Sequence, residues 1–423
     1  MKILLLGSGG REHALARKIS ESPLCEALFI APGNPGTLQH GINIPLNVND
    51  FQAIKDFCVQ ENIGMVVVGP EDPLVNGIYD FFQQQDSLKS IHVIGPSKLG
   101  AQLEGSKAFA KAFMQRHQIP TAAYREFDLS TYSEGEDYLR AHTLPIVLKA
   151  DGLAAGKGVV IAETHDEALD TFRAMIQDQK FGAAGSKVVI EQFLTGIECS
   201  VFAITDGKDY VLLPSAKDYK RIGEGDTGLN TGGMGAISPV PFIDDAFMQK
   251  VTDQVIIPTI KGIAAENIVY KGFVFFGLIK VGDAPYVIEY NCRMGDPETE
   301  VVMPRLESDL VELLLSLKDQ QLAGHTCVHS ALHAATVMLV SKGYPEDYEK
   351  GKTITGLDGI QNSILFHAGT RMEQDQLLTN GGRVLAITSL APTLAEALQR
   401  SKKNAGLVEF DGKTFRNDIG WEF

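Results

Sequence analysis

Short apolar strands alternate with helical segments through the first hundred residues, and this alternation limits the folds open to the chain. Residues 2–6 are an apolar run, and a glycine-rich turn at 7–10 separates them from a helical pattern that begins at Arg11. Such alternation predicts a parallel, doubly wound sheet. The later predicted elements are a strand at 27–30, a helix at 50–61, a strand at 65–68, a helix at 74–85 and a strand at 92–94.

The glycine turn at 7–10 is typical of nucleotide-binding units, in which the N–H groups of a helix N-terminus hold a phosphate. The dinucleotide fingerprint is incomplete, because Glu12 stands at the third glycine position and no acidic residue ends the second strand. The pattern therefore disfavours NAD and favours a phosphate on a smaller substrate. That phosphate would lie at Gly9, Gly10 and Arg11, although a turn that only packs helix on strand explains these residues equally well.

Size and charge set further bounds. A chain of 423 residues predicts two to four domains. With 38 basic and 53 acidic residues its net charge is −15, which argues against nucleic acid or anionic membranes as partners. The apolar start is too short for a signal sequence, and no run reaches the ~20 residues of a membrane span. The five cysteines have no C-x-x-C spacing, so we expect a reducing, cytoplasmic location.

A second signal lies on the predicted strand near residue 288. Glu289 and Asn291 are two residues apart, so both side chains point to the same face of the strand. Carboxylate and amide oxygens suit Mg²⁺, and Arg293 close behind suits a phosphate or an acyl phosphate. A strand that ends in a solvated turn would also explain Glu289 and Asn291 if they stood alone. The lysines described next favour the metal site.

Lys149 ends an apolar strand and precedes a glycine-rich loop, 150–158, that carries Lys157. The loop is not a Walker A motif, because its spacing is one residue short and no Ser or Thr follows Lys157. A lysine at the end of a buried strand needs an anion, which argues against a plain hairpin turn. Lys107 lies in the first turn of a helix, where a cation is unfavourable, so we expect a ligand there too.

The last quarter of the chain predicts a helix at 306–317 and strands at 330–340 and 383–388. His325, His329 and His333 are four residues apart and would align as metal ligands on a helix. A strand pattern follows them directly, so ordinary surface and core histidines are the favoured interpretation.

Taken together, these motifs resemble the ATP-grasp ligases, and most closely the glycinamide ribonucleotide synthetase family. The resemblance runs through nearly the whole chain in order, from GSGGREHALA, APGNPGT and VVGPEDPLV to KADGLAAGKGV, NCRMGDPETE and FHAGT. It implies an α/β fold with an N-terminal doubly wound parallel sheet domain at 1–102. An ATP-grasp core at 103–328 would contain a mobile lid subdomain at about 123–192, and a small α+β domain at 329–423 would follow.

The resemblance also implies a reaction. ATP, glycine and 5-phosphoribosylamine would give glycinamide ribonucleotide, ADP and phosphate through a glycyl phosphate, an early step of purine synthesis. Mg²⁺ or Mn²⁺ would be the cofactor and ATP a co-substrate. A channelling partner that supplies phosphoribosylamine is left open. No general base is evident, and residues 273–281 offer no acid for a second metal ion.

Residue roles carry over by the same resemblance. For catalysis the implied residues are Lys149, Lys157 in the lid loop and Arg293, which would stabilise the transferred phosphoryl group. The metal ligands would be Glu289 and Asn291. ATP would be bound by Lys107, Lys149, Glu191, Leu194 and Glu198. The acceptor substrates would be bound by Gly9, Gly10, Arg11, Asp218, Lys220, Arg221, Asn230, Thr231 and Gly232.

Two alternatives stay open at this point. One is another carboxylate–amine ligase of the ATP-grasp type with a different acceptor. The other is a nucleotide sensor without catalysis, which the intact charged residues Lys107, Lys149, Glu289 and Arg293 argue against.

Overall fold

Residues 1–105 fold into a parallel sheet with helices between its strands. The computed structural model describes residues 1–153 and 158–423 of the chain. The strands are β1 (Lys2–Gly7), β2 (Ala27–Pro32), β3 (Ile42–Asn43), β4 (Met65–Val68) and β5 (His92–Pro96). The helices are α1 (Gly10–Ser20), α2 (Phe51–Glu61), α3 (Glu71–Asn76), α4 (Ile78–Gln84) and α5 (Gln102–Gly105). The strand order is β3-β2-β1-β4-β5, all parallel, with α1 on one face and α2 and α4 on the other. The predicted doubly wound sheet is confirmed.

The prediction of one helix over 74–85 is wrong, because Gly77 divides the segment. Gly77 has φ of +92°, in the left-handed region, and its N–H group bonds to Leu74 and Pro73 as α3 ends. A residue without Cβ adopts this conformation at little cost. Helix α4 then begins in a new direction.

Helix α6 (Lys107–Arg116) packs its buried residues into the core of the N-terminal and central sheet. Residues 123–192 then form a unit that we call the lid unit. Its elements are β6 (Tyr124–Asp128), α7 (Tyr132–Ala141), β7 (Ile146–Ala150), β8 (Val159–Ala162), α8 (His165–Ile176) and β9 (Lys187–Gln192). Its strands form an antiparallel sheet in the order β6-β9-β7-β8, the lid sheet. Helices α7 and α8 cover this sheet over a hydrophobic core of its own, in which Phe127 and Phe172 are buried.

The central part continues the N-terminal sheet. Its strands are β10 (Ile197–Thr205), β11 (Tyr210–Leu212), β12 (Lys217–Asp218), β13 (Arg221–Gly223), β14 (Thr227–Asn230), β15 (Gly235–Ser238), β16 (Tyr270–Val281) and β17 (Ala284–Asn291). Its helices are α9 (Asp245–Val251), α10 (Ile257–Ala265), α11 (Thr299–Val302) and α12 (Leu310–Ser316). Strand β16 pairs with β5 through Tyr270 opposite Pro96, which joins the two parts into one nine-stranded sheet. Helix α12 is shorter than predicted, because Asp309 caps its start.

The last part consists of strands of a six-stranded sheet, a separate two-stranded hairpin and one long helix. Its elements are β18 (His333–Ser341), β19 (Ile364–His367), β20 (Thr370–Glu373), β21 (Gln376–Thr379), β22 (Arg383–Ala391), α13 (Leu394–Leu407) and β23 (Lys413–Thr414). The order β12-β15-β18-β22-β19 brings two strands of the central part into this sheet, and β23 pairs with β18. His333 opens a strand, so His325, His329 and His333 do not share a helix.

Within the described ranges, no helix has the length and apolar character needed to cross a membrane. All five cysteines carry free thiols.

The separate core of the lid unit generates a stability prediction. Phe172 is fully buried and stacks on Tyr132 with ring centroids 5.0 Å apart. Replacing Phe172 with alanine removes this packing and should destabilise the lid unit by about 3–5 kcal/mol. Hydrogen exchange of β7 and β9 should then accelerate while exchange of β1 and β4 is unchanged. The matched control is Leu129→Ala in the same unit, since that side chain is 66 % exposed. Equal protection of β7 in both variants would contradict the prediction.

Candidate active site

Strand β17 carries the predicted metal ligands at its end. Glu289 lies opposite Gly277 of β16, and Asn291 lies opposite Phe275. A Cβ atom on Gly277 would be 3.1 Å from Cγ of Glu289, so the Glu289 side chain leans over the glycine. The strand has a register shift at this point, which leaves Ile288 without a partner on β16. Such bulges re-aim side chains beside functional sites.

Charges from two directions keep Glu289 ionised. Burial raises the pKa of the Glu289 carboxyl, but Lys220, Lys149 and Lys107 outweigh burial and the pKa falls below its usual value. An ionised carboxylate next to an amide oxygen is a hard-oxygen donor set. Mg²⁺ usually takes one or two protein ligands together with phosphates and waters. The Glu289–Asn291 pair therefore fits a divalent cation that is held jointly with a nucleotide.

Lys149 joins the lid sheet to β17. The side chain is 5 % exposed, and its Nζ lies 3.0 Å from Oε1 of Glu191. The same ammonium donates a hydrogen bond of 3.3 Å to the carbonyl of Ile288, the bulged residue beside Glu289. Lys107 donates to the carbonyl of Gly152 at 3.3 Å. The structure thus brings the two predicted phosphate-binding lysines toward the metal ligands.

Sequence reasoning missed Lys111, a third lysine. The side chain is 1 % exposed, and its Nζ lies 3.1 Å from Oε2 of Glu191. Burial lowers the pKa of Lys111 to about 8, although Glu191 opposes that shift. The Glu191 carboxylate, predicted at the adenine and ribose, is therefore enclosed by Lys111 and Lys149. The signal for Lys111 is its position four residues after Lys107 on the buried face of α6.

A second group of charges lies where the lid unit meets the central part. Lys220 forms an ion pair of 2.7 Å with Glu198. Burial lowers the pKa of Lys220, but Glu198, Asp218 and Glu289 raise it well above its usual value. Lys220 also holds the pKa of Glu198 low. Leu194 is half-buried in the connection between β9 and β10. The predicted nucleotide residues therefore surround the crossing from the lid unit to β10.

Arg293 is held by two carboxylates that the sequence did not reveal as its partners. Its guanidinium lies 2.6 Å from Glu104 and 3.3 Å from Glu71. Glu71 is the first residue of α3, which follows β4, and it also lies 4.0 Å from Arg11. Arg11 is itself paired with Glu12 at 2.6 Å. The two arginines are thus linked through Glu71, which connects the N-terminal sheet to the end of β17.

The N-terminus of α1 is surrounded by carboxylates. The N–H group of Gly9 donates to Glu12 at 2.6 Å, and that of Arg11 approaches Asp296 at 3.4 Å. A Cβ on Gly10 would lie 2.3 Å from Oε1 of Glu300. A phosphate at Gly9, Gly10 and Arg11 would have to displace these carboxylates, so the substrate role of the three residues stays a prediction. Beside them a cleft of about 530 Å³ opens at the ends of the parallel strands.

The predicted acceptor residues lie on the hairpin β13–β14 and beside it. Arg221 pairs with Asn230 across the hairpin, and Thr231 bonds to the carbonyl of Lys220 at 2.7 Å and 2.8 Å. Arg383 of β22 donates to the carbonyl of Gly232 at 2.6 Å. The same guanidinium lies 3.0 Å from Asp296, so the C-terminal sheet fixes this corner of the site. Only the folded chain reveals Arg383, because 151 residues separate it from Gly232.

The C-terminal segment contacts the strand that carries Asp218. Glu422 accepts a hydrogen bond of 2.7 Å from the hydroxyl of Tyr219 and lies 3.1 Å from Nζ of Lys217. Sequence reasoning did not identify Glu422. Lys157, by contrast, lies outside the described residues.

This arrangement, a lid unit joined to a central sheet with lysines close to a carboxylate–amide pair, is that of an ATP-grasp ligase. Three family models for phosphoribosylglycinamide synthetase match the chain, the N domain at residues 1–104, the ATP-grasp (A) domain at 105–299 and the C domain at 334–422. The chain belongs to this family.

Individual relatives agree. The phosphoribosylamine–glycine ligase of Haemophilus influenzae is 47 % identical over 426 residues, which is 100 % of this chain and 98 % of that protein. The crystal structure of phosphoribosylamine–glycine ligase from Thermotoga maritima superimposes on this chain with a TM-score of 0.86 and 34 % sequence identity. The match covers 99 % of this chain and 100 % of the Thermotoga maritima chain. A biotin carboxylase from Campylobacter jejuni shares the fold, with a TM-score of 0.73 at 15 % identity, over 100 % of this chain and 94 % of its own.

The packing of Glu289 over Gly277 generates a prediction. In Gly277→Ala the new methyl group lies 3.1 Å from Cγ of Glu289 and 3.3 Å from its carbonyl oxygen, so Glu289 must shift. Displacing a metal ligand in this way should raise the Mg²⁺ concentration for half-maximal activity by about 10-fold. The control is Gly406→Ala, whose methyl group meets nothing within 4 Å. An unchanged Mg²⁺ requirement in Gly277→Ala would count against the metal assignment.

Proposed function

We propose that this chain uses ATP to join the carboxyl group of glycine to the amine of 5-phosphoribosylamine, which gives glycinamide ribonucleotide, ADP and phosphate. The observation that carries the proposal is the contact between Lys149 and the bulge of β17. This contact supports a phosphate-binding role for Lys149 beside Glu289 and Asn291, in a chain that matches phosphoribosylamine–glycine ligases over its whole length. The product is a purine precursor.

Activation of glycine is the first chemical step of the proposal. A carboxylate is a poor electrophile, so the γ-phosphoryl group of ATP is transferred to it and a glycyl phosphate forms. Lys107 and Lys149 neutralise the phosphate oxygens, and Arg293, oriented by Glu71 and Glu104, faces the transferred group. A divalent cation at Glu289 and Asn291, Mg²⁺ or Mn²⁺, supplies further charge neutralisation when it is bound.

The lid unit excludes water in this proposal. An acyl phosphate hydrolyses unless water is kept away, and a closing lid serves that purpose. Lys157 would reach the phosphates from the loop between β7 and β8. Leu194 and the backbone near Glu191 would face adenine, and Glu198 would face the ribose. We place the domain boundaries of this working unit at 1–102, 103–328 and 329–423.

The acceptor would enter between the N-terminal sheet and the hairpin β13–β14. Asp218, Lys220, Arg221, Asn230, Thr231 and Gly232 line one side, and Gly9, Gly10 and Arg11 line the other. We infer a cytoplasmic location, since five free thiols suit a reducing compartment. A partner that hands over phosphoribosylamine directly would complete the proposal.

An omission experiment tests the reaction. Purified protein is given ATP, Mg²⁺, glycine and phosphoribosylamine made in situ, and ADP release is measured with each component left out in turn. ADP release should require both glycine and phosphoribosylamine. If another acid replaces glycine, the ligase class stands but the substrate assignment falls. If no combination releases ADP, the enzyme assignment itself is wrong.

A variant tests the metal ligand. Glu289→Ala removes an ionised oxygen donor, and turnover should fall by about 100-fold or more because a metal ion supplies several kcal/mol of charge stabilisation. The circular dichroism spectrum and melting temperature should stay near those of the unmodified chain. The matched control is Asp283→Ala, an acid 89 % exposed on the turn between β16 and β17. Activity of Glu289→Ala equal to that of the control would contradict the assignment.

A further inference from the structure

Glu298 is a buried carboxyl group that the proposed function does not use. It follows β17 by seven residues and is 3 % exposed. Its Oε1 accepts one long hydrogen bond, 3.3 Å from the hydroxyl of Ser200. Arg293, the guanidinium in the same loop, pairs with Glu104 and Glu71 instead. A buried carboxyl group with so little compensation is costly, which points to a role in the site.

The strand register places Glu298 on the reacting face. Ser200 of β10 lies opposite Gly277 of β16, and Gly277 lies opposite Glu289 of β17. Residues directly opposite one another point to the same side of a sheet, so Ser200 and Glu289 share one face. Their Cα atoms are two strand spacings apart, roughly 10 Å. The Ser200 hydroxyl holds the Glu298 carboxyl at one end of this row, and Glu289 is at the other.

The middle of the row has no side chain of its own, because its residue is Gly277. A glycyl phosphate whose phosphoryl group lies near Glu289 would therefore have its carbonyl carbon directed toward Glu298. Asp218 is on this face too, since the bridge between Ser200 and Ala216 places it beside Glu198. The reacting carbon and the incoming amine would thus lie between carboxyl groups.

The charged neighbours of Glu298 come from several elements. Burial and then Asp218 of β12 raise the pKa of the Glu298 carboxyl, whereas Lys220 and Arg293 lower it, and the net result is a pKa of about 8. Glu300 of the same segment and Arg383 of β22 also face it. Burial raises the pKa of Asp218 as well. A group that titrates near the working pH is best suited to proton transfer.

The other carboxylates on this face are already engaged. Glu289 is held ionised by lysines and is the candidate metal ligand. Glu191 is enclosed by Lys111 and Lys149, and Glu198 is paired with Lys220 at 2.7 Å. Glu298 and Asp218 are the carboxyl groups of this face without an ion-pair partner among the described residues, and of the two it is Glu298 that the Ser200 hydroxyl holds at the end of the row.

We propose that Glu298 is the general base of the ligation step, with Ser200 as its positioning residue. This inference rests on the proposed function. The nitrogen lone pair of the amine forms the C–N bond, and the C–O bond to phosphate breaks with its electron pair leaving on the phosphate. The proton on the nitrogen passes to the Glu298 carboxylate, which releases it to water after the product leaves.

The test separates activation of glycine from ligation. Hydroxylamine is a small nucleophile that is largely neutral at neutral pH. It replaces phosphoribosylamine in the assay and traps glycyl phosphate as a hydroxamate. In Glu298→Gln, formation of glycinamide ribonucleotide should fall by about 10²–10⁴-fold, while hydroxamate formation stays within about threefold of the unmodified chain. The matched control is Glu312→Gln, an exposed acid of α12, which should change neither rate.

The pH profile provides a second measurement, which needs no variant. Because the base must be deprotonated, kcat/KM for phosphoribosylamine should rise with pH through about 8, and we call this rise the basic limb of the profile. The rate of hydroxamate formation should lack this limb. Glu298→Asp should restore part of the ligation rate together with the limb, and Ser200→Ala should shift the limb.

Ligation by Glu298→Gln within threefold of the unmodified chain would overturn the proposal. Equal losses of ligation and hydroxamate formation would also overturn it, since Glu298 would then only support the fold. A failure of the proposed function would be recognised separately, because the unmodified chain would then show no glycine-dependent release of ADP.

Discussion

Two buried ammonium groups share a single carboxylate where the lid sheet meets β17. Lys111 and Lys149 both contact Glu191, and none of the three residues is more than 5 % exposed. Removing one partner from a buried pair costs about 3–5 kcal/mol, so the triad is held firmly once it forms. Its charges do not cancel, and one positive charge is left over. Under the proposed function a nucleotide phosphate would supply the missing negative charge, and the junction would then be a binding site as well as a structural contact.

A second set of ion pairs connects the segment after β17 to both the N-terminal part and the C-terminal sheet. Glu71 of the N-terminal part approaches both Arg11 and Arg293, and Arg383 of the C-terminal sheet approaches Asp296. The position of Arg293 therefore depends on contacts from outside the segment that follows β17. Such charged networks act as units, and the effects of removing their members are not additive.

Sequence periodicity within single helices and strands made the N-terminal fold and part of the candidate site predictable. Alternation gave the parallel sheet, and the two-residue period of a strand placed Glu289 and Asn291 on one face. The long helix over 74–85 failed because a glycine within an apolar pattern does not reveal whether its φ is positive. The partners of the charged residues could not be predicted, since Glu104 meets Arg293, and Glu422 meets Tyr219, only after distant segments pack together. For the same reason the sequence does not reveal that folding brings Asp296 and Glu300 to the turn at Gly9 and Gly10, where a phosphate remains a prediction.

The pairing of β5 with β16 makes one continuous sheet out of the N-terminal and central parts, with hydrophobic clusters that run along both faces. The row from Ser200 to Glu289 therefore lies on one continuous sheet, whereas the lid sheet packs over a separate core. Under the proposed function, the reacting groups are then held by one core and the nucleotide is also contacted by a unit with another. Substitutions in the two cores can therefore alter the two sides of the site independently.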